Sequence, residues 1–420
     1  MTSRWQWLVR QLARRLWVRV SAFSIAAVIV ALAGVFLARY VPENLAGRIG
    51  SDSIDDILTI LASSMLAVST FSLATMVSAY GAVSSSVTPR ASKLLMDDTT
   101  AQNALGTFIG SFLFSLVGIV ALSTGLYGQQ GRLILFVATV VIILLIVVTM
   151  LRWIDYLSRL GRVGETIDRV EQATRTALEE RILHPALGGR RLEESAEIPE
   201  DAMPVFAERI GYVQHIDVAT LAECAEEGIR DIFVTAPPGT FADRLRPLVR
   251  IAGPLDDDTV ERVQGAFAVS DGRSFDQDPR FGLCVLAEIA SRALSPAVND
   301  PGTAIDVLGR GERLMTLWAE GQGRAEPAPD EAPPVFVRGI EPDDMFDDLF
   351  APIARDGAGM IEVQIRLQKV LRALDALDDR KTSAAAARHS ELALQRAEKA
   401  LAMEHEIDAL RALVKGTPKS

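Results

Sequence analysis

The sequence is poor in the residues that most often carry chemistry. Its 420 residues include only two Cys and four His. Cys224 and Cys284 stand far apart in the chain, which excludes a disulfide scaffold and suits a reducing compartment. His184, His215, His389 and His405 share no metal-ligand spacing with one another or with the cysteines, so no metal is expected. There is no Walker loop, no GxGxxG after a strand, no HExxH and no GxSxG. Neither a catalytic residue nor a cofactor is therefore expected, and an enzyme is not the expected class. A net charge of −11 removes the basic footprint of a nucleic-acid binder. The most informative absence is local. Four stretches, Val20–Ala38, Ile57–Pro89, Thr99–Gly131 and Leu133–Leu151, contain no Asp, Glu, Lys, Arg or His.

Those stretches are apolar and long. A helix needs about 20 apolar residues to cross a hydrocarbon core of ~30 Å, and each stretch reaches or nearly reaches that length. Leu133–Leu151 is apolar on every face, which no soluble amphipathic helix would be. Four transmembrane helices are expected, at about residues 20–40, 57–80, 103–125 and 132–152, behind an Arg/Trp-rich tail at 1–19. Eleven Lys and Arg flank the spans on one side (five in the tail, Arg90 and Lys93, then Arg152, Arg159, Arg162 and Arg169). Only Arg39, Arg48 and Arg132 lie on the other. The positive-inside rule then places both termini in the cytoplasm, in a bacterial inner membrane, with the lipid bilayer as the first partner. Trp5, Trp7, Trp17 and Trp153 suit the membrane interface. The charge divides along the same line: residues 1–152 carry a balance of +5 and the remainder −16. A mean hydropathy of +0.22 beside 23% charged residues is thus an average over two unlike halves.

The uncharged spans argue against proton-coupled carriers and voltage sensors, whose work needs a titrating or moving charge at membrane depth. A pore lined by hydroxyls and small side chains remains open. The second span has that composition. Ser63, Ala67, Thr70, Ala74 and Ser78 recur at three- and four-residue steps and form one narrow seam. It reads either as the pore-lining face of a homo-oligomer or as close packing inside the four-helix bundle. Gly106 and Gly110 in the third span, followed by Gly118, are a packing signal.

Beyond residue 152 the pattern becomes amphipathic. Val163, Ile167, Val170, Thr174 and Leu178 form the apolar stripe of a connecting helix over 153–184. An α+β domain with a small β element is expected over 205–320. Tyr212–Ile216 and Ile229–Thr235 read as strands, Asp217 as an N-cap, and Pro237-Pro238-Gly239 as a turn. Asp278-Pro279 and Asp300-Pro301 each place a capping carboxylate before a proline at the first helical position, which predicts two helices joined by Ser295–Asn299. On the first, Arg280, Cys284, Glu288 and Arg292 form a polar stripe opposite Phe281, Val285 and Ile289. Arg280, Glu288, Arg292, Ser295, Asn299 and Asp300 are the candidate ligand or subunit contacts. The alternative is an ordinary helix surface in which Arg280 or Arg292 pairs with Glu288. Residues 321–334 read as a disordered linker. Residues 335–420 read as a C-terminal helical region containing one short strand and a long helix over Ser383–Val414.

The run FGLCVLAEIASRALSPAVNDPGTAID resembles the signature of a bacterial family of predicted membrane proteins, domain-of-unknown-function family 2254. TPRASKLL after the second span and GYVQHID are similar to the same family, and the likeness extends from the first span to about Trp318. It implies four spans followed by a cytoplasmic domain, and no activity, substrate or site residue. The expected fold class is mainly α: a four-span bundle followed by a cytoplasmic α+β domain. Two functions are expected. One is an oligomeric channel-like pore with a cytoplasmic regulatory domain. The other is a membrane-anchored scaffold or signalling protein whose cytoplasmic domain binds an unidentified partner or ligand.

Overall fold

The computed structural model describes residues 7, 9, 12–13, 15–40, 51–96, 98–193, 196–226, 229–323 and 332–415. Trp5 and much of the Arg-rich tail, Arg48, Gly228 and the middle of the expected linker (324–331) lie outside the described residues. Fourteen helices and eight short strands occur among those described. The chain divides into two compact units, Leu8–Thr166 and Ile167–Ser420, and Trp7 belongs to the second.

The first unit is helical. It contains α1 (Leu16–Leu37), α2 (Ser51–Ser86), α3 (Pro89–Met96), α4 (Thr99–Ser123) and α5 (Gln129–Arg159). Of these, α1, α2, α4 and α5 are long and apolar enough to cross a membrane, in agreement with the four expected spans. The most buried span is α4, because its small residues let neighbours close on it. A Cβ on Gly106 would lie 2.9 Å from the Phe23 ring of α1, so this glycine admits α1 to α4 within one chain. On the other side of α4, α2 buries Ile54, Leu58, Leu61, Met65 and Met76 against residues that include Phe108 and Phe114. The loop after α2 folds as α3, which buries Ala91 and Leu95 and leaves Arg90 and Lys93 exposed. Asp98 then caps α4 by accepting from the Thr100 amide at 2.6 Å.

The chain leaves α5 at Arg159, turns through Gly161 (φ +87°) and resumes as α6 (Val163–Leu183). The stretch read as one connecting helix is therefore two helical segments, interrupted where glycine tolerates a left-handed backbone.

The second unit contains β1 (Arg190–Leu192), β2 (Met203–Val205), β3 (Gly211–Ile216), α7 (Val218–Glu226), β4 (Asp231–Val234), β5 (Phe241–Ala242), β6 (Val249–Ala252), α8 (Asp257–Gly265) and β7 (Phe267–Ser270). These are followed by α9 (Pro279–Ala293), α10 (Pro301–Gly321), β8 (Val335–Arg338), α11 (Pro342–Asp356), α12 (Ile361–Asp375), α13 (Arg380–Ala400) and α14 (Glu404–Val414). Five strands form a mixed sheet ordered β1-β8-β4-β6-β2, and β5-β3-β7 form an antiparallel one. Val213, Ile216, Ile232, Val234, Val249, Ile251, Val335 and Val337 share one apolar core between the two sheets. The strands are too short to bury much individually, so this shared core holds them.

Two features depart from the local sequence reading. First, β8 lies inside the five-stranded sheet, parallel to both β1 and β4, so the segment after the linker completes the α+β fold. Second, the helix expected over Ser383–Val414 breaks at Leu401–Met403 into α13 and α14. No glycine or proline marks that break. Folding back buries Ala397, Leu401, Ile407 and Leu410 together, and this apolar gain outweighs helix propensity.

Candidate functional site

The seam of the second span faces outward from its unit. Ser63, Ala67, Thr70, Ala74 and Ser78 are all exposed, while Ile54, Leu58, Leu61, Met65 and Met76 turn inward. Close packing inside a single chain's bundle therefore does not account for it. At about 3.6 residues per turn, Ser63, Ala67, Thr70 and Ala74 occupy the middle of the exposed face. Ile60 and Phe71 border it on one side, Leu66 and Leu73 on the other, and Ser78 lies toward the Ile60 border. Two of the three hydroxyls are satisfied within the helix: Ser63 Oγ donates to the Thr59 carbonyl at 3.0 Å and Thr70 Oγ1 to that of Leu66 at 2.9 Å. In contrast, every exposed residue of α5 from Val137 to Leu151 is Val, Leu or Met. Large aliphatic side chains suit acyl chains, whereas a channel of small residues between large ones suits another helix.

In the second unit, the polar stripe of α9 divides. Arg280 reaches α11 rather than Glu288, with Nε 2.6 Å from Asp348 and Nη1 2.7 Å from Asp344. The acidic pairs of α11 are thus clamped: Asp343 and Asp347 take Arg388 of α13 in the same way. Cys284 is half-buried, and burial first, then Asp348, push its thiol up to about 11, so it is not a reactive thiolate. Glu288 is half-buried and Arg292 exposed, toward the far end of a helix about 22 Å long. Ser295 Oγ donates to the Arg292 carbonyl, the Asn299 amide to the Ser295 carbonyl, and the Asp300 amide to that of Ala293. Asn299 adopts the left-handed conformation (φ 50°) and Asp300 caps α10 through Thr303. Of the six candidate contacts, only Arg280 reaches the cavity described next. Ser295, Asn299 and Asp300 build a compact helix–helix turn.

Arg280 lines a cavity of ≈ 390 Å³. The last turn of α6 supplies Arg181, the turn after β4 supplies Pro237–Thr240, and β5 supplies Phe241. The segment before α9 supplies Arg273 and Asp278, and the end of β8 supplies Arg338. Asp278 caps α9 and forms a two-pronged pair with Arg273, at 2.7 and 3.0 Å. That pair outweighs burial and raises the pKa of Arg273, keeping it a cation. Gly239 (φ +91°) rests on the Asp278 carboxylate, where a Cβ would approach to 2.4 Å, so the turn is fitted to the ion pair. Tyr212 and Phe241 meet edge to face at 5.0 Å and give the cavity an aromatic wall.

Arg181 is the exceptional group. Its residue exposure is 4%, and its Nε and Nη1 have no hydrogen-bond partner among the described residues. Nη2 donates weakly to the Arg338 carbonyl at 3.4 Å. Burial pushes its pKa down to about 10, partly offset by Asp278, which Arg273 already occupies. The sequence holds a signal for it: Thr174, Leu178 and Arg181 follow four- and three-residue steps, so a cation continues the apolar stripe of α6. Arg246 and Arg338 stand exposed at the mouth and form no ion pair among the described residues.

Four helices long and apolar enough to cross a membrane, followed by an α+β unit, define the class of a membrane protein. The model of the family described as predicted membrane protein (DUF2254) matches residues 13–373, and the chain belongs to this family. Curated relatives include Uncharacterized protein Rv1290c of Mycobacterium tuberculosis and Uncharacterized protein Mb1321c of Mycobacterium bovis. Each is 26% identical over 234 residues, covering 54% of this chain and 44% of the relative. The chain therefore spans less than half the length of these relatives. No solved structure matches it.

Proposed function

We propose that the protein is a homo-oligomeric, channel-like pore of the bacterial inner membrane, with both termini in the cytoplasm and the second unit as a cytoplasmic regulatory domain. The observation that carries this reading is the outward seam of α2, small and hydroxylated between large apolar borders. Small side chains let the α2 of a second copy approach closely. Hydroxyls held by their own helix can rotate to meet a permeant species at no cost in buried polar groups. Spans without ionisable residues suit conduction without proton coupling. The excess of Lys and Arg on one side supports the orientation.

Reconstituted in liposomes, the oligomer is expected to pass ions or small solutes. Ser63→Leu with Thr70→Leu is expected to lower that flux by roughly tenfold or more while light scattering still shows the oligomer. An intact oligomer that passes nothing refutes the pore. The second reading, a membrane-anchored signalling protein whose cytoplasmic domain binds a ligand, is favoured by the arginine-lined cavity, and it expects ligand binding without flux.

A further inference from the structure

We infer that the arginine-lined cavity of the second unit is a binding site for a small organic phosphate of mononucleotide size, with Arg181 as its buried anchor. This inference does not depend on the pore: it concerns what the second unit answers to. It begins from an imbalance. Of the five arginines around the cavity, Arg273 is matched by Asp278, and Arg280 by Asp344 and Asp348. Arg181, Arg246 and Arg338 form no ion pair among the described residues, although Arg246 stands near enough to Asp243 to favour its ionised form. For the two at the mouth this is unremarkable, because water solvates them. For Arg181 it is not. A buried guanidinium with two unpartnered donor atoms is destabilising unless something accepts from it, and no group among the described residues does.

The chemistry of the acceptor follows from the donors. Guanidinium presents a planar fork that matches phosphate and carboxylate oxygens, and a buried cation with two more arginines at the mouth favours a group carrying two negative charges. A phosphate monoester is such a group. The cavity volume of ≈ 390 Å³ exceeds what a bare phosphate needs and falls in the range of sites for small organic ligands. The wall made by Pro237, Pro238, Tyr212 and the exposed Phe241 offers an apolar surface for the non-phosphate part. The Asp278 carboxylate is already engaged by Arg273 and the Phe281 amide and packed under the Gly239 turn, so it shapes the site without forming an ion pair with Arg181.

The test uses the full chain in nanodiscs of zwitterionic lipid, with AMP as probe and adenosine as its uncharged counterpart, read by calorimetry and thermal unfolding. AMP is expected to bind one per chain and raise the unfolding temperature, with adenosine weaker by roughly a hundredfold. Arg181→Met is expected to weaken AMP roughly tenfold or more, yet to leave the ligand-free protein as stable or more so, since an unmatched buried charge has been removed. Arg246→Ser, at an exposed position where folding is not at issue, is expected to weaken AMP by roughly threefold to tenfold. The inference is overturned if AMP and inorganic phosphate both fail to bind, or if Arg181→Met binds AMP as the parent does. It is also overturned if nanodiscs of phosphatidylglycerol abolish AMP binding and stabilise the protein through Arg181, because the occupant is then a lipid headgroup.

Discussion

Arginine is the residue on which the second unit's polar interior turns, and its partners differ from those that chain proximity suggests. Arg310 and Arg313 of α10 converge on Glu171 of α6, each at 2.8 Å, and Arg310 also engages Asp168 and Asp306. Burial raises the Glu171 pKa, but the hydrogen bonds from Arg313 and Arg310 outweigh it and hold the carboxyl below the ordinary Glu value. A depressed acid stabilises the fold above its unfolded pKa, about 4.3, and that contribution disappears as pH falls through the lower folded value. Glu171→Gln is therefore expected to lower stability at pH 7 by about 1–2 kcal/mol, allowing for the exposed Arg313. The difference from the parent should shrink as urea unfolding is repeated toward pH 3; a difference independent of pH would contradict the pairing. At this scale the sequence shows which residues are charged, but it does not show that Arg280 pairs with Asp348 across the fold rather than with Glu288 on its own helix.

Among the elements, α6 and α9 meet at a point that tolerates nothing larger than hydrogen. A Cβ on Gly282 would lie 1.9 Å from Thr174 Oγ1, whose hydroxyl is already donated to the Val170 carbonyl of α6. Ala favours helix intrinsically over Gly by about 1 kcal/mol, so on an open surface Gly282→Ala would stabilise. Here overpacking is expected to reverse the sign, with a net loss of about 1–3 kcal/mol measured by denaturant unfolding. A gain would show that the helices can separate without penalty. Element identity was largely legible, since the Asp-Pro pairs at 278 and 300 start α9 and α10 where capping chemistry requires. The break between α13 and α14 was not, because Leu401 and Met403 fit either a helix or its end, and only the burial of Leu410 against Ala397 decides.

For the whole molecule, the order of the chain conceals the order of the sheet. The α+β reading over 205–320 leaves β8 in a separate C-terminal region, whereas the structure inserts it between β1 and β4. A chain ending at residue 331 would lose both Val335 and Val337 from the shared core and expose the edge of β4. It is expected to aggregate or to be digested rapidly by trypsin, and a truncated protein as protease-resistant as the parent would show that β8 is dispensable. The sequence by itself determined the four spans, their charge bias, the family and the capped helices, because hydropathy, Lys/Arg placement and N-cap chemistry act over a few residues. Only the tertiary structure decided that the α2 seam looks outward, that Arg280 belongs to α11 and that Arg181 is buried beside a cavity. Each of these depends on which surfaces meet across long separations in the chain, and local periodicity states that a face exists without stating what lies against it.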